Sequence, residues 1–166
     1  MGKFTVTHEI NTTVEGFWKL FFDKEFNEKL YLEGLGFPEY KTLEQNDTDA
    51  QITRKVRGTP KMNMPGPVAK LMGSNFSYVE DGTFDKASKV WKWKLTPSTL
   101  ADKMTNTGSV RVEAVGDTRV RRVADLLIEA KIFGLGGLIE SSAEKQLRDG
   151  WDQSAVFMNK YIAAAK

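Results

Sequence analysis

From Leu138 to Ala164 the chain carries no proline, and its apolar residues return at helical spacing. Projected at 100° per residue, Ala143, Leu147, Gly150, Trp151, Ser154, Met158, Tyr161 and Ile162 fall on one face. A helix of that extent is about 40 Å long at a rise of 1.5 Å per residue. So long an apolar stripe has to be buried against a partner surface of comparable reach. Gly134, Gly136 and Gly137 stand just before it and break the preceding element. The centre of the stripe is thin. Gly150 costs roughly 0.5–1 kcal/mol there relative to alanine, and Ser154 follows one turn later on the same face. Small residues at that place leave room beneath the helix, either for a close sheet or for a ligand.

The rest of the chain supplies strands. Phe4, Val6, His8 and Ile10 alternate with Lys3, Thr5, Thr7 and Glu9, the period of a half-buried strand. Thr12 and Glu15 have the spacing of a capping box. Behind them Val14, Phe17, Trp18, Phe21 and Phe22 form a helical stripe. Asp23 restarts a second short helix carrying Phe26, Leu30 and Tyr31, which Gly34, Gly36 and Pro38 end. Six further strands are expected over 39–46, 50–58, 74–84, 88–96, 104–115 and 118–132. Their short, turn-rich links predict antiparallel hairpins rather than parallel crossovers. The class is α+β, in the order strand, two helices, six strands, long helix, and the length predicts one domain over 1–166. One insertion interrupts the strands, a Pro-rich run from Thr59 to Pro67.

Charge and residue types exclude several functions. With 24 basic and 22 acidic residues the net charge is only +2, so no concentrated footprint for nucleic acid is expected. There is no cysteine and a single histidine, which leaves no His/Cys ligand set for zinc. Neither a metal nor another cofactor is expected. No stretch approaches the roughly 20 apolar residues that span a bilayer. The first residues run straight into the strand pattern with no apolar signal core, so a cytoplasmic protein is expected.

The element order resembles the START-like superfamily, whose helix-grip fold also serves plant pollen-allergen proteins and polyketide cyclases. Lys131-Ile132-Phe133-Gly134-Leu135-Gly136-Gly137-Leu138-Ile139-Glu140 is similar to the last-strand-to-helix junction of a bacterial branch of that superfamily. Trp91 and Trp93, just before Thr96-Pro97, suit the same branch. The resemblance implies a curved seven-stranded antiparallel sheet wrapped around the C-terminal helix. It also implies a cavity between them for lipids, sterols, polyketides or other apolar ligands. It does not imply one chemistry, because the superfamily holds carriers, co-chaperones and enzymes.

Which residues face such a cavity follows from periodicity. In Trp91-Lys92-Trp93-Lys94, alternation sends the tryptophans inward and the lysines to water. Three polar residues break apolar faces: His8 beside Phe4, Val6 and Ile10; Arg54 beside Ile52 and Val56; Arg122 beside Val120, Ala124 and Leu126. An inward arginine needs a carboxylate, water or a ligand's polar head, and Glu80, in register with Tyr78, is one candidate partner. The expected lining is therefore His8, Arg54, Tyr78, Trp91, Trp93, Arg122, Leu126, Leu147, Gly150, Trp151, Ser154 and Met158. Met62, Met64, Val68, Leu71 and Met72 have the adaptable composition of a lid, or of a loop that touches a membrane transiently. The leading expectation is binding or transfer of an apolar or amphipathic small molecule. The rival is a metal-free cyclase or lyase with His8 as acid–base group and Arg122 stabilising an enolate.

Overall fold

The computed structural model describes residues 2–61, 64–73 and 75–165. Strand β1 (Gly2–Ile10) is followed by helices α1 (Val14–Phe21) and α2 (Lys24–Lys29), which runs on into a π-helical turn (Leu30–Gly34). Strands β2 (Glu39–Asp47) and β3 (Gln51–Thr59) come next, then a short helix α3 (Gly66–Met72). The chain continues through β4 (Tyr78–Asp85), β5 (Val90–Pro97), β6 (Met104–Ala114) and β7 (Val120–Ala130) to helix α4 (Gly136–Ala164). Every strand pairing is antiparallel, in the order β1-β7-β6-β5-β4-β3-β2. This is the expected helix-grip arrangement.

Local chemistry moves two boundaries. Thr12 does not cap α1. Its N–H donates to the Ile10 carbonyl in a tight exit from β1, so Thr13 takes the extended cap conformation and its hydroxyl accepts from the Gly16 N–H. The strand expected from residue 74 begins at Tyr78, because the preceding insertion folds as α3 with a proline in its first turn. Gly134 turns the chain into α4 with φ +77°, a conformation that L side chains rarely adopt.

On the inner face the register aligns three rows of side chains. Ile52, Phe84, Trp91, Val110, Ala124 and Val6 form the first. Arg54, Gly82, Trp93, Gly108, Leu126 and Phe4 form the second, and Val56, Glu80, Leu95, Asn106 and Ile128 the third. The glycines of the second row fit their neighbours. A Cβ on Gly82 would stand 1.9 Å from Cζ2 of Trp91, and one on Gly108 would stand 2.3 Å from Cζ2 of Trp93. Both indoles therefore lie flat across the neighbouring strand. Tyr78 lies over Gly58 in the same way, at 2.8 Å. Flat aromatics make a low floor.

Candidate functional site

One end of this floor is filled. Trp18, Phe21 and Phe22 of the α1 segment meet Phe84 and Trp91 of the sheet in edge and tilted contacts, with ring centroids 4.4 to 5.7 Å apart, and Phe17 packs behind them on Trp18 and Phe21. Such a cluster buries large area in fixed geometry and leaves no gap to occupy.

The other end is built differently. Helix α4 is seated at its two ends. Ile139 is fully buried in a small cluster with Val68, Met72 and Ala130, and Glu140 accepts the Ala130 N–H. Ser154, Ala155 and Met158 are buried in the main core, and Asn159 bonds both the Asn11 N–H and the Glu9 carbonyl. Between these seats none of residues 140–153 is buried. Leu147 and Trp151 are only partly covered, and a Cβ on Gly150 would meet nothing within 4 Å. Opposite, the inward-facing Glu80, Leu95 and Asn106 are also only half-buried.

Two buried arginines stand on the inner face, Arg54 beside the filled end and Arg122 beneath α4. Arg54 is 6% exposed and donates from Nη1 to the Phe21 carbonyl at 2.7 Å, with its guanidinium stacked on Phe21 and Trp91. Arg122 is 4% exposed. Its Nη2 donates to the Trp151 carbonyl at 3.0 Å and to His8 Nδ1 at 3.1 Å, and it lies over the Trp151 ring. Since arginine only donates, His8 Nδ1 accepts and Nε2 carries the proton, which it gives to Asp152 Oδ1 at 2.6 Å. Burial lowers the Arg122 guanidinium to about 10, against the opposing pull of Tyr31 and Asp152; it stays charged at neutral pH.

Tyr31 is a member of the site that sequence reasoning missed. Its ring stacks on Tyr40 with centroids 4.1 Å apart. Burial raises its phenol well above the usual value, and Glu80, Tyr40, Arg54 and Arg122 all act on it electrostatically. Tyr40 and Tyr78 are likewise raised, mainly by burial. Glu80 is raised by burial against the lowering effect of Arg54. Glu80 is half-buried on the inner face. Neither Glu80, Asn106 nor the Tyr31 hydroxyl has a hydrogen bond or ion pair among the described residues.

The expected site residues fall into groups. Arg54, Tyr78, Trp91, Trp93, Arg122 and Leu126 lie on the inner face, and Trp93 meets Trp151 of α4 at 6.0 Å. His8 has both ring nitrogens engaged. The Ser154 hydroxyl bonds the Trp151 carbonyl of its own helix at 2.7 Å, and Met158 is packed in the core rather than under the open span. Of the expected lid, Val68 and Met72 are buried against Ala130 and Ile139, with Met64 and Leu71 packed on them; Met62 lies outside the described residues. The Gln146 amide holds the neighbouring loop by donating to the Lys61 carbonyl at 3.1 Å. Two outer depressions of about 610 and 370 Å³ touch neither Gly150 nor Ser154. Among the described residues, no His/Cys/Asp/Glu group is placed to hold a metal ion, and no helix is long and apolar enough to cross a membrane.

The model of a family described as "Protein of unknown function (DUF2505)" matches residues 5–162. The chain belongs to that family. No curated protein matches this DUF2505 chain. Solved structures match over its whole length. A protein from Thermus thermophilus has a TM-score of 0.71 at 16% identity, with 99% of each chain covered. A START superfamily protein from Mycobacterium smegmatis has a TM-score of 0.60 at 12% identity, again with 99% of each covered. An aromatase/cyclase from Streptomyces has a TM-score of 0.58 at 15% identity, with 96% of this chain and 89% of that one covered. At these identities the likeness establishes the START-like fold of the DUF2505 chain and nothing finer.

Proposed function

We propose that the chain binds an amphipathic small molecule, lipid- or polyketide-like, between the sheet and the middle of α4. The observation that carries this reading is the helix itself, seated at Ile139 and at Ser154–Met158 but unburied over 140–153 above a flat aromatic floor. Well-packed interiors do not leave such a span uncovered by default. The lining is mainly apolar with a few convergent polar groups, the usual make-up of a small-molecule site. Native mass spectrometry of the protein as purified tests it, followed by titration with the neutral apolar dye N-phenyl-1-naphthylamine. A chain that carries no small molecule and takes up no dye fails the reading.

The rival, a cyclase- or lyase-like enzyme working through His8 and Arg122, draws on the likeness in fold to aromatase/cyclases. The geometry favours it less. Both nitrogens of His8 are committed to Asp152 and Arg122, so a substrate proton finds no open nitrogen. Turnover of a polyketide-like substrate that His8→Ala abolishes in a folded protein would reverse that preference.

A further inference from the structure

We infer that the molecule taken up is a carboxylic acid bound as its anion, its head between Arg54 and Arg122 with the Tyr31 hydroxyl as a third donor. The inference rests on the binding reading above and adds the ligand's chemical class.

Two guanidiniums face the inner side of one sheet, each more than nine-tenths buried. Both spend their protein hydrogen bonds on neutral acceptors, the carbonyls of Phe21 and Trp151 and the ring of His8. Among the described residues no carboxylate lies within ion-pair distance of either. Aromatic faces offset part of the burial cost, but they bring no negative charge. Buried charges without a counter-charge are costly and call for one.

Donors remain to receive it. Arg54 Nη2 and Arg122 Nη1 have no acceptor among the described residues. Unlike the two Nε atoms, which are sealed and unpartnered, they are not closed off from the space. Tyr31 sits where both guanidiniums act on it, and burial keeps its phenol protonated, so its hydroxyl can donate. Glu80 is the acid on the inner rows, and burial disfavours its ionisation. Glu80 acts on Arg54 and Asp152 on Arg122 only at longer range, Asp152 from an exposed position behind the His8 ring, and neither carboxylate touches a guanidinium.

The head group follows from the donors. Separate N–H groups and one phenol match a planar, singly charged head with two oxygens. Arginine also takes phosphate, but a phosphate dianion presents about six acceptor sites on three terminal oxygens to these three donors, and the strands facing this space spend their backbone N–H groups on pairing. A neutral alcohol satisfies a donor but leaves both charges uncompensated.

The test compares heads on a constant body. Oleate, oleyl alcohol and methyl oleate, and separately 2-naphthylacetate and 2-(2-naphthyl)ethanol, are titrated as competitors of N-phenyl-1-naphthylamine on the full chain. The acid should bind at least about tenfold tighter than its neutral partners in one series or the other, the scale of one charge-assisted contact. Arg122→Met and Arg54→Met should each remove most of that preference, read as the ratio of acid to alcohol affinity in the same variant. Should either methionine variant fail to fold, Arg122→Lys or Arg54→Lys keeps the charge without the fork and should retain part of the preference. The wild-type comparison needs no variant. Acid and alcohol binding alike in both series overturns the carboxylate inference and leaves the binding reading standing. A chain that takes up neither the dye nor any competitor overturns both.

Discussion

The two ends of the inner face show what one fold does with two kinds of filling. At the α1 end, phenylalanine and tryptophan rings are locked against one another. Under the middle of α4 the floor is equally aromatic, but the helix above it is only partly covered, and Glu80 and Asn106 opposite it have no hydrogen bond among the described residues. Glycine has opposite meanings in the two places. Gly82 and Gly108 are required because an indole occupies the position of their missing side chains, whereas Gly150 has nothing beneath it. Packing at one end specifies the structure, and the lighter packing at the other is where the proposed ligand would sit.

The largest effect expected from this contrast is on the floor. Gly82→Ala and Gly108→Ala drive a methyl group into a buried indole. Trp91, 2% exposed and wedged among Phe21, Phe22 and Arg54, cannot give way. Each substitution should cost about 3 kcal/mol, the upper end of overpacking effects, by urea unfolding. A cost below about 1 kcal/mol would mean that the tryptophans do not lie flat, and the contrast between the two ends would dissolve.

A smaller loss is expected from His8→Ala, which cuts the link from Asp152 through His8 to Arg122. It should destabilise by about 1–2 kcal/mol, the scale of a side-chain hydrogen bond plus a partner left unsatisfied. Dye uptake should persist, since His8 acts through Arg122 rather than on the ligand.

Glu80→Gln should change stability by no more than about 1 kcal/mol, in a direction set by pH. Burial raises the Glu80 carboxyl in the folded state. Its favourable contribution is therefore complete below the unfolded value of 4.5 and lost as pH rises through the folded value. The glutamine variant should be the more stable at pH 7, with the difference closing as the solution is acidified below the ordinary carboxylate range. An advantage that grew in acid instead would place Glu80 in an ion pair and remove it from the open end.

The smallest effect on stability should come from the glycine of the open span. Gly150→Leu should leave the melting temperature unchanged or raise stability by up to about 0.5–1 kcal/mol through better helix propensity, while weakening dye uptake. Destabilisation by several kcal/mol would mean a closed core there and no pocket.

Much of this was legible in the sequence because period two and period 3.6 are local signals. The order of elements along the chain, the inward tryptophans, the inward arginines and the thin centre of the last helix all follow from spacing. What spacing does not carry is register between distant strands. The fit of Trp91 over Gly82 depends on β4 and β5 pairing as they do, and that of Trp93 over Gly108 on β5 and β6. Tyr31 escaped notice because it sits where α2 runs into a π turn, with the Leu35 N–H donating to the Leu30 carbonyl. Its stacking partner Tyr40 belongs to another element. The seating of α4 at Ile139 likewise depends on α3, inside an insertion whose composition reads as a loop.

Helix α4 resembles a beam resting on two piers and only lightly held at midspan, where Ala143, Leu147 and Trp151 touch the core without being buried. Such a beam flexes most where it is least supported, and amides over 143–150 should exchange hydrogen faster than those over 154–160 in the empty protein. A ligand arriving beneath it acts as a third pier. Occupancy would then be readable from the backbone of the helix alone, as a slowing of exchange at midspan with little change at either end, before any chemistry of the bound molecule is known.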